Sequence, residues 1–216
     1  MAQATVESVN AGKPRPIERT NGEVTTSAIW KEPLSGRVAV RGVNVDGDDQ
    51  ADRTVHGGPD AAVYAYAAED TEWWEGEIGR PLGPGAFGEN LTTRGIDVNA
   101  ALIGERWAIG TVVLEITAPR IPCWKLAKKM EDPKFIKRFG AAGRPGAYFR
   151  IIEEGELAAG DAIEVIERPD HDITVALVAH IYLHDRDRAE RLLDAPALAA
   201  TWRDWASERA GRQLAS

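Results

Sequence analysis

Cys123 is the only cysteine in the 216-residue chain, and it stands inside PRIPCWKLA, residues 119–127. One thiol cannot form an internal disulfide, so three readings are open: a buried structural thiol, a nucleophile, or a ligand for a soft metal. Arg120 and Lys125 lie close to it in sequence. Cations and a free helix N-terminus both lower a thiol pKa and favour the thiolate that a nucleophile or metal ligand requires. Two further loops gather polar groups. DRTVHGGPD carries Asp52, Arg53 and His56 beside Gly57 and Gly58. The glycines permit tight turns or close approach of backbone to a ligand, and the plainer alternative is a hairpin loop with a solvated histidine. GAFGENLT sets Glu89 and Asn90 directly after Gly88. There the plainer alternative is a turn closed by an Asx-type bond.

Three literal motif matches fail on context. Gly83, Gly85 and Gly88 fit G-x-G-x-x-G, but Pro84 sits inside the loop and ENLTT continues as a strand, whereas a dinucleotide fingerprint runs from a strand into a helix. Asp46, Asp48, Asp49 and Asp52 suggest a calcium loop, yet Gly57 occupies the twelfth position where a bidentate Glu belongs. A solvated acidic turn is the better reading. His180 and His184 share a helix face without a third ligand, so a surface or packed pair is favoured over a metal site.

The elements that must position these groups are mostly strands. TVESVNAG, GEVTTSAIW, RVAVRGVNVDG and GAYFRII read as strands, and AAVYAYA is assigned to a strand on its tyrosines and valine. ALIGERWAIGTVVLEIT and IEEGELAAGDAIEVIE echo each other, each with two glycines before an alternating run, which suits an antiparallel sheet or barrel. AEDTEWWEGEIG predicts a helix ending at Gly79. VVLEIT should end at Pro119, and Pro122 stiffens the lead, so Cys123 arrives at the start of a helix over WKLAKKM. Asp132 and Pro133 predict the start of a further helix, with Gly140 as its stop. Beyond Arg168 the chain reads as three short helices, ITVALVAHIYL, DRAERLLD and ALAATWRDWASERAG, preceded by Asp172, Asp185 and Asp194 and closed by Gly211.

Composition narrows the function classes. A net charge of −8 argues against non-specific nucleic-acid binding, which depends on cations meeting phosphates. No stretch approaches a membrane-spanning helix, and the N-terminal MAQATVESVNAGKP lacks a charged region followed by an apolar run, so no leader and a cytoplasmic protein are expected.

VHGGPDAAVYAYA, GAFGENLTTRGIDVNAALIGERWAIG and PRIPCWKLA, in that order and spacing, resemble the MOSC domain, named for the molybdenum cofactor sulfurase C-terminus, and within it the YiiM-like branch. The resemblance covers residues 5–167, and the tail is similar to the three-helix module that follows it in that branch. It implies a mainly β, barrel-like domain over residues 1–168 and a small three-helix module over 169–216. It also implies molybdenum cofactor (molybdopterin), with Cys123 as the protein's sulfur ligand to the metal, and reduction of N-hydroxylated compounds such as purine bases. Within those motifs, His56 is the candidate proton shuttle with Asp52 to orient it. Arg120 and Lys125 are candidates for the cofactor's terminal phosphate. Gly57, Gly58 and Gly88 are candidate N–H donors, and Glu89 and Asn90 candidate contacts to the pterin edge. The chain has no four-cysteine iron–sulfur set and no flavin or nicotinamide fingerprint, so electrons are expected from a separate reductase. Trp202 and Trp205 either pack the tail onto the barrel, the favoured reading, or dock a partner or a second copy as a homodimer. Three rivals remain: a sulfur carrier with a persulfide on Cys123, a non-catalytic binding module, and a cysteine hydrolase, which is weaker because no histidine is placed beside the thiol.

Overall fold

Apolar alternation in the middle of the chain folds β9 (Arg106–Ile109) against β10 (Val112–Pro119), and Gly110 at φ +59° makes the turn between them. In the computed structural model, which describes residues 3–49 and 57–213, this hairpin is the middle of a larger sheet. The other strands among the described residues are β1 (Thr5–Ala11), β2 (Arg15–Glu18), β3 (Val24–Ser27), β4 (Glu32–Pro33), β5 (Val38–Arg41), β6 (Asn44–Val45), β7 (Val63–Ala67), β8 (Leu91–Arg94), β11 (Ala147–Glu153), β12 (Gly155–Leu157) and β13 (Ile163–Glu167). The largest sheet runs β13-β9-β10-β11-β7-β8-β1-β4. It is antiparallel except at β7–β8, where a helix, α1 (Ala68–Ile78), makes the crossover that a parallel pair requires.

The first half of β1, beyond its short pairing with β4, reaches β13 at the far end of this order. Val6 N–H donates to Asp161 at 2.9 Å, Gly160 N–H to Val6 at 2.8 Å and Ile163 N–H to Ala4 at 2.8 Å. These bonds join β1 to the entry of β13 and leave a barrel-like wall in place of two free edges. The expectation of a mainly β, barrel-like domain is met.

β7 explains how the wall is packed. All five of its residues are buried. Val63, Ala65 and Ala67 point into one hydrophobic cluster with Leu91, Trp107, Ile116 and Phe149. Tyr64 and Tyr66 point the other way, into a second cluster with Trp74, Phe87, Leu126, Phe135 and Phe139. A strand covered on both faces reads as a continuous apolar run, which is why the AAVYAYA pattern is ambiguous in sequence alone. The covering helices are α1, α2 (Trp124–Lys129) and α3 (Phe135–Ala142).

The C-terminal tail holds α4 (Val175–His184), a 3-10 helix (Arg186–Asp194) and α5 (Ala200–Gln213). Ile173, Val178, Ile181, Leu192 and Leu198 extend the first cluster, so tail and sheet share apolar packing. Trp202 and Trp205 each lie 5.0 Å from the Tyr182 ring and pack against that cluster.

Several local expectations need correction. RVAVRGVNVDG is a hairpin, β5–β6, because Gly42 turns at φ +62°. α3 runs through Gly140 and stops at Gly143, a left-handed C-cap at φ +66°. Asp132 accepts from the Lys134 amide one turn earlier than that helix begins. Thr174 caps α4, accepting from Leu177 N–H at 3.1 Å, while Asp172 pairs with Arg191. The second tail helix is 3-10 in geometry, and α5 continues through Gly211.

Candidate functional site

β10 ends at Pro119, still paired with Ala147 of β11, and the chain then delivers Arg120 into the interior. Cys123 follows at φ −127° and ψ 169°, an extended residue at the N-cap of α2, and its carbonyl accepts from Leu126 N–H at 3.0 Å. The half-buried thiol lines a cleft with Lys31, Asp48, Gly88, Asn90 and Arg120. Lys125, Tyr64 and Tyr148 complete its walls.

Cations dominate the floor. Arg120 donates to the Phe87 carbonyl and lies 5.0 Å from the centre of the Tyr64 ring. Burial opposes its charge, but Tyr148, Tyr64 and Cys123 facing it more than offset that, so its pKa moves up and the guanidinium stays charged. Burial pushes the Lys31 ammonium down, against the pull of its partner Asp48. Burial likewise lowers Lys129, beneath the same loop, to about 8, with Glu89 pulling the other way. Lys129 Nζ donates to Ile29 O at 2.8 Å and Gly85 O at 2.5 Å. Burial raises both Tyr64 and Tyr148, and Arg120 works against that in each case.

The structure brings Cys123, Arg120, Lys125, Gly88 and Asn90 to one cleft and sorts them by what their atoms already do. Half-buried Lys125 donates from Nζ to Thr26 O at 3.1 Å, which leaves two of its three donors for a ligand. Asn90 is tied on both sides, its Oδ1 accepting from Tyr64 N–H at 3.1 Å and its Nδ2 donating to Asp48 at 2.8 Å. The Gly88 N–H donates to Gly85 O at 2.9 Å, which corrects the expectation of a free amide donor there. What Gly88 provides is room: at φ +76°, a Cβ would come within 2.7 Å of Ile29 Cγ1.

Glu89 departs from its expected place at a pterin edge. Its fully buried carboxylate accepts from Gly85 N–H at 2.5 Å, Phe87 N–H at 2.9 Å and Thr92 Oγ1 at 2.9 Å, so it holds its own loop in shape. Gly57 lies on a neighbouring cleft, and Gly58, at φ +88°, caps a 3-10 turn (Pro59–Ala61). Asp52 and His56 lie outside the described residues. The solvated-turn reading of the acidic loop holds for Asp46, paired with Arg41 at 2.6 Å, and fails for Asp48, which is buried against Lys31, Asn90 and Gly12 N–H. Among the described residues no group of three or more His, Cys, Asp and Glu side chains could hold a metal. His180 and His184 remain a pair, with ring centres 5.4 Å apart.

Lys31, Asp48, Tyr64 and Tyr148 line the cleft and were not singled out as site residues, although Asp48 stands in the acidic loop and Tyr64 in VHGGPDAAVYAYA. Lys129 braces the loop through Ile29 O and Gly85 O without lining the cleft.

A half-buried thiol set among buried cations, on a mainly β, barrel-like wall, defines a domain suited to an anionic group that also needs a soft sulfur donor. The MOSC domain model matches residues 52–164, and the chain belongs to that family. It is similar to YflK of Bacillus subtilis (strain 168), 38% identical over 202 residues that cover 92% of this chain and 91% of that protein. It is similar to the crystal structure of YiiM from Geobacillus stearothermophilus, with a TM-score of 0.79, 33% identity, and coverage of 95% of this chain and 98% of that one. A protein named Reductase from Gibberella moniliformis (strain M3125 / FGSC 7600) is 36% identical over 154 residues, 68% of this chain and 27% of that protein. Among the described residues no helix is long and apolar enough to cross a membrane.

Proposed function

We propose that this protein is a molybdenum-cofactor-dependent reductase of N-hydroxylated compounds, N-hydroxylated purine bases among them. The observation that carries the reading is the Cys123 thiol opening on a cleft lined by three cations, Arg120, Lys31 and Lys125, against the Asp48 and Asp49 carboxylates, a positive balance in a chain of net charge −8. The donor set fits the cofactor's chemistry. A thiolate suits a high-valent molybdenum already bound by sulfur, and the surrounding cations suit an anionic pterin phosphate. When bound, the cofactor would supply a two-electron oxygen removal, in which the N–OH compound, two electrons and two protons give the corresponding N–H compound and water.

The chain's own residues do the rest. Cys123 would hold the metal through its sulfur. Lys125 would offer its two remaining donors to the terminal phosphate, and Arg120, held by Phe87 O and the Tyr64 ring, would add a fixed positive charge. His56 moves the proton and Asp52 orients it, roles that rest on residue type and on their place in the sequence before Gly57. Electrons come from a separate reductase. The shared region is 27% of the Gibberella reductase, so that protein extends well beyond the part similar to this chain.

The test is expression in a host that makes molybdenum cofactor, followed by metal and pterin analysis. Near-stoichiometric molybdenum, lost in Cys123→Ala, with reduction of an N-hydroxylated base by an artificial donor, is the expected result. Cyanide-labile sulfur on Cys123 without metal would replace this reading with a sulfur carrier, and neither signal would leave a binding module.

A further inference from the structure

The cleft at the thiol has a roomier neighbour. Gly57, Asp60, Ile121, Tyr148, Thr201 and Trp202 line it, and its volume is about 410 Å³ against about 130 Å³ at Cys123. Ala61, Ile121 and Tyr148 line both spaces, so the two clefts adjoin along these side chains. Ile121 is two residues from Cys123, a reach of at most about 7 Å along the backbone. The outer wall is supplied by the tail. Ala199 N–H donates to Thr117 O at 3.0 Å and Ala200 N–H to Asp60 Oδ2 at 3.2 Å, which seats the first turn of α5 over the barrel. Asp60 is steadied in turn by Arg150 at 2.9 Å.

The lining says what would fit. Pockets of roughly 300 Å³ and more accommodate drug-sized ligands. An indole and a phenol ring pair with flat aromatic systems. The Asp60 carboxylate and Thr201 hydroxyl accept from ring or exocyclic N–H groups. We infer that this second cleft is the substrate subsite: it takes the planar ring of an N-hydroxylated heterocycle, whose N–OH points to the edge at Ile121 and Tyr148 where the Cys123 cleft adjoins, and α5 selects ring size through Thr201 and Trp202. The inference rests on the reductase reading above. It gives the helical tail a part in the chemistry of the barrel.

Thr201 is exposed in the first turn of α5, so Thr201→Trp fills the cleft without disturbing the core, and Thr201→Val is its size-matched control. In calorimetry on cofactor-free protein, N6-hydroxyadenine binds wild type with sub-millimolar affinity, Thr201→Val a few-fold more weakly through loss of the hydroxyl acceptor, and Thr201→Trp at least tenfold more weakly. Absence of binding to wild type, or equal binding by Thr201→Trp, overturns the subsite. On cofactor-loaded protein, the ratio of kcat/KM for N6-hydroxyadenine over hydroxylamine falls at least tenfold in Thr201→Trp, and an unchanged ratio overturns the proposal. Selective binding with turnover of neither compound rejects the reductase reading and supports the subsite.

Discussion

The Asn90 carboxamide donates to Asp48 Oδ2 at 2.8 Å, across 42 positions of the chain. The same carboxylate accepts from Gly12 N–H at 2.8 Å through Oδ1 and holds the Lys31 ammonium. One buried acid therefore ties β1's exit, the segment after β3 and the β7–β8 loop together at the mouth of the Cys123 cleft.

Asp48→Ala leaves a buried ammonium and two donors without partners. Breaking a buried pair from one side costs about 3–5 kcal/mol. Urea denaturation should show a loss of that size, and Asp48→Asn a smaller one, because the amide oxygen keeps one acceptor. A loss below about 1 kcal/mol in Asp48→Ala would show that the network contributes little.

Gly88→Ala combines a left-handed backbone with a methyl 2.7 Å from Ile29 Cγ1. The two penalties together are on the order of 1–3 kcal/mol. Displacement of Ile29 would narrow the cleft, so molybdenum retention should fall along with the melting temperature. Cofactor-host expression with metal analysis reads the first and calorimetry the second.

Lys129 provides a pH test. Burial lowers its pKa from 10.5 to about 8 in the folded chain, with Glu89 opposing and Arg120, Lys31 and Arg15 adding to the shift. Between those values the unfolded chain binds a proton that the folded chain has released, so this group makes stability rise with pH, and its penalty is full below about 8. The stability of wild type relative to Lys129→Met should therefore grow from about pH 7.5 to about pH 10 in denaturant titrations. A flat difference would place the ammonium in contact with water.

Cys123 accepts no cap bond through its side chain and is half-buried, so Cys123→Ser should leave the fold intact, within about 0.5 kcal/mol. Molybdenum content is expected to drop to background in the same protein. Metal retained at wild-type level would remove the sulfur from the ligand set.

The residues alone determined a good deal. Glycine at Gly79 and Gly110 marked where chain direction changes, because left-handed turns select for it. Pro119 and Pro122 around a lone cysteine marked a stiff lead into a helix, and three motifs in order carried the family. Local steric rules and spacing suffice for such features, since they act within a few residues. The tertiary structure decided which atoms are free. Glu89 and Asn90 stand side by side in the chain, yet one turns into its own loop and the other bridges to Asp48. Asp48 reads in sequence like its solvated neighbour Asp46, and only the approach of Lys31 makes it a buried anchor. Burial and hydrogen-bond partners arise from segments tens of residues apart, so whether a polar side chain serves a ligand or the scaffold is settled only when those segments meet.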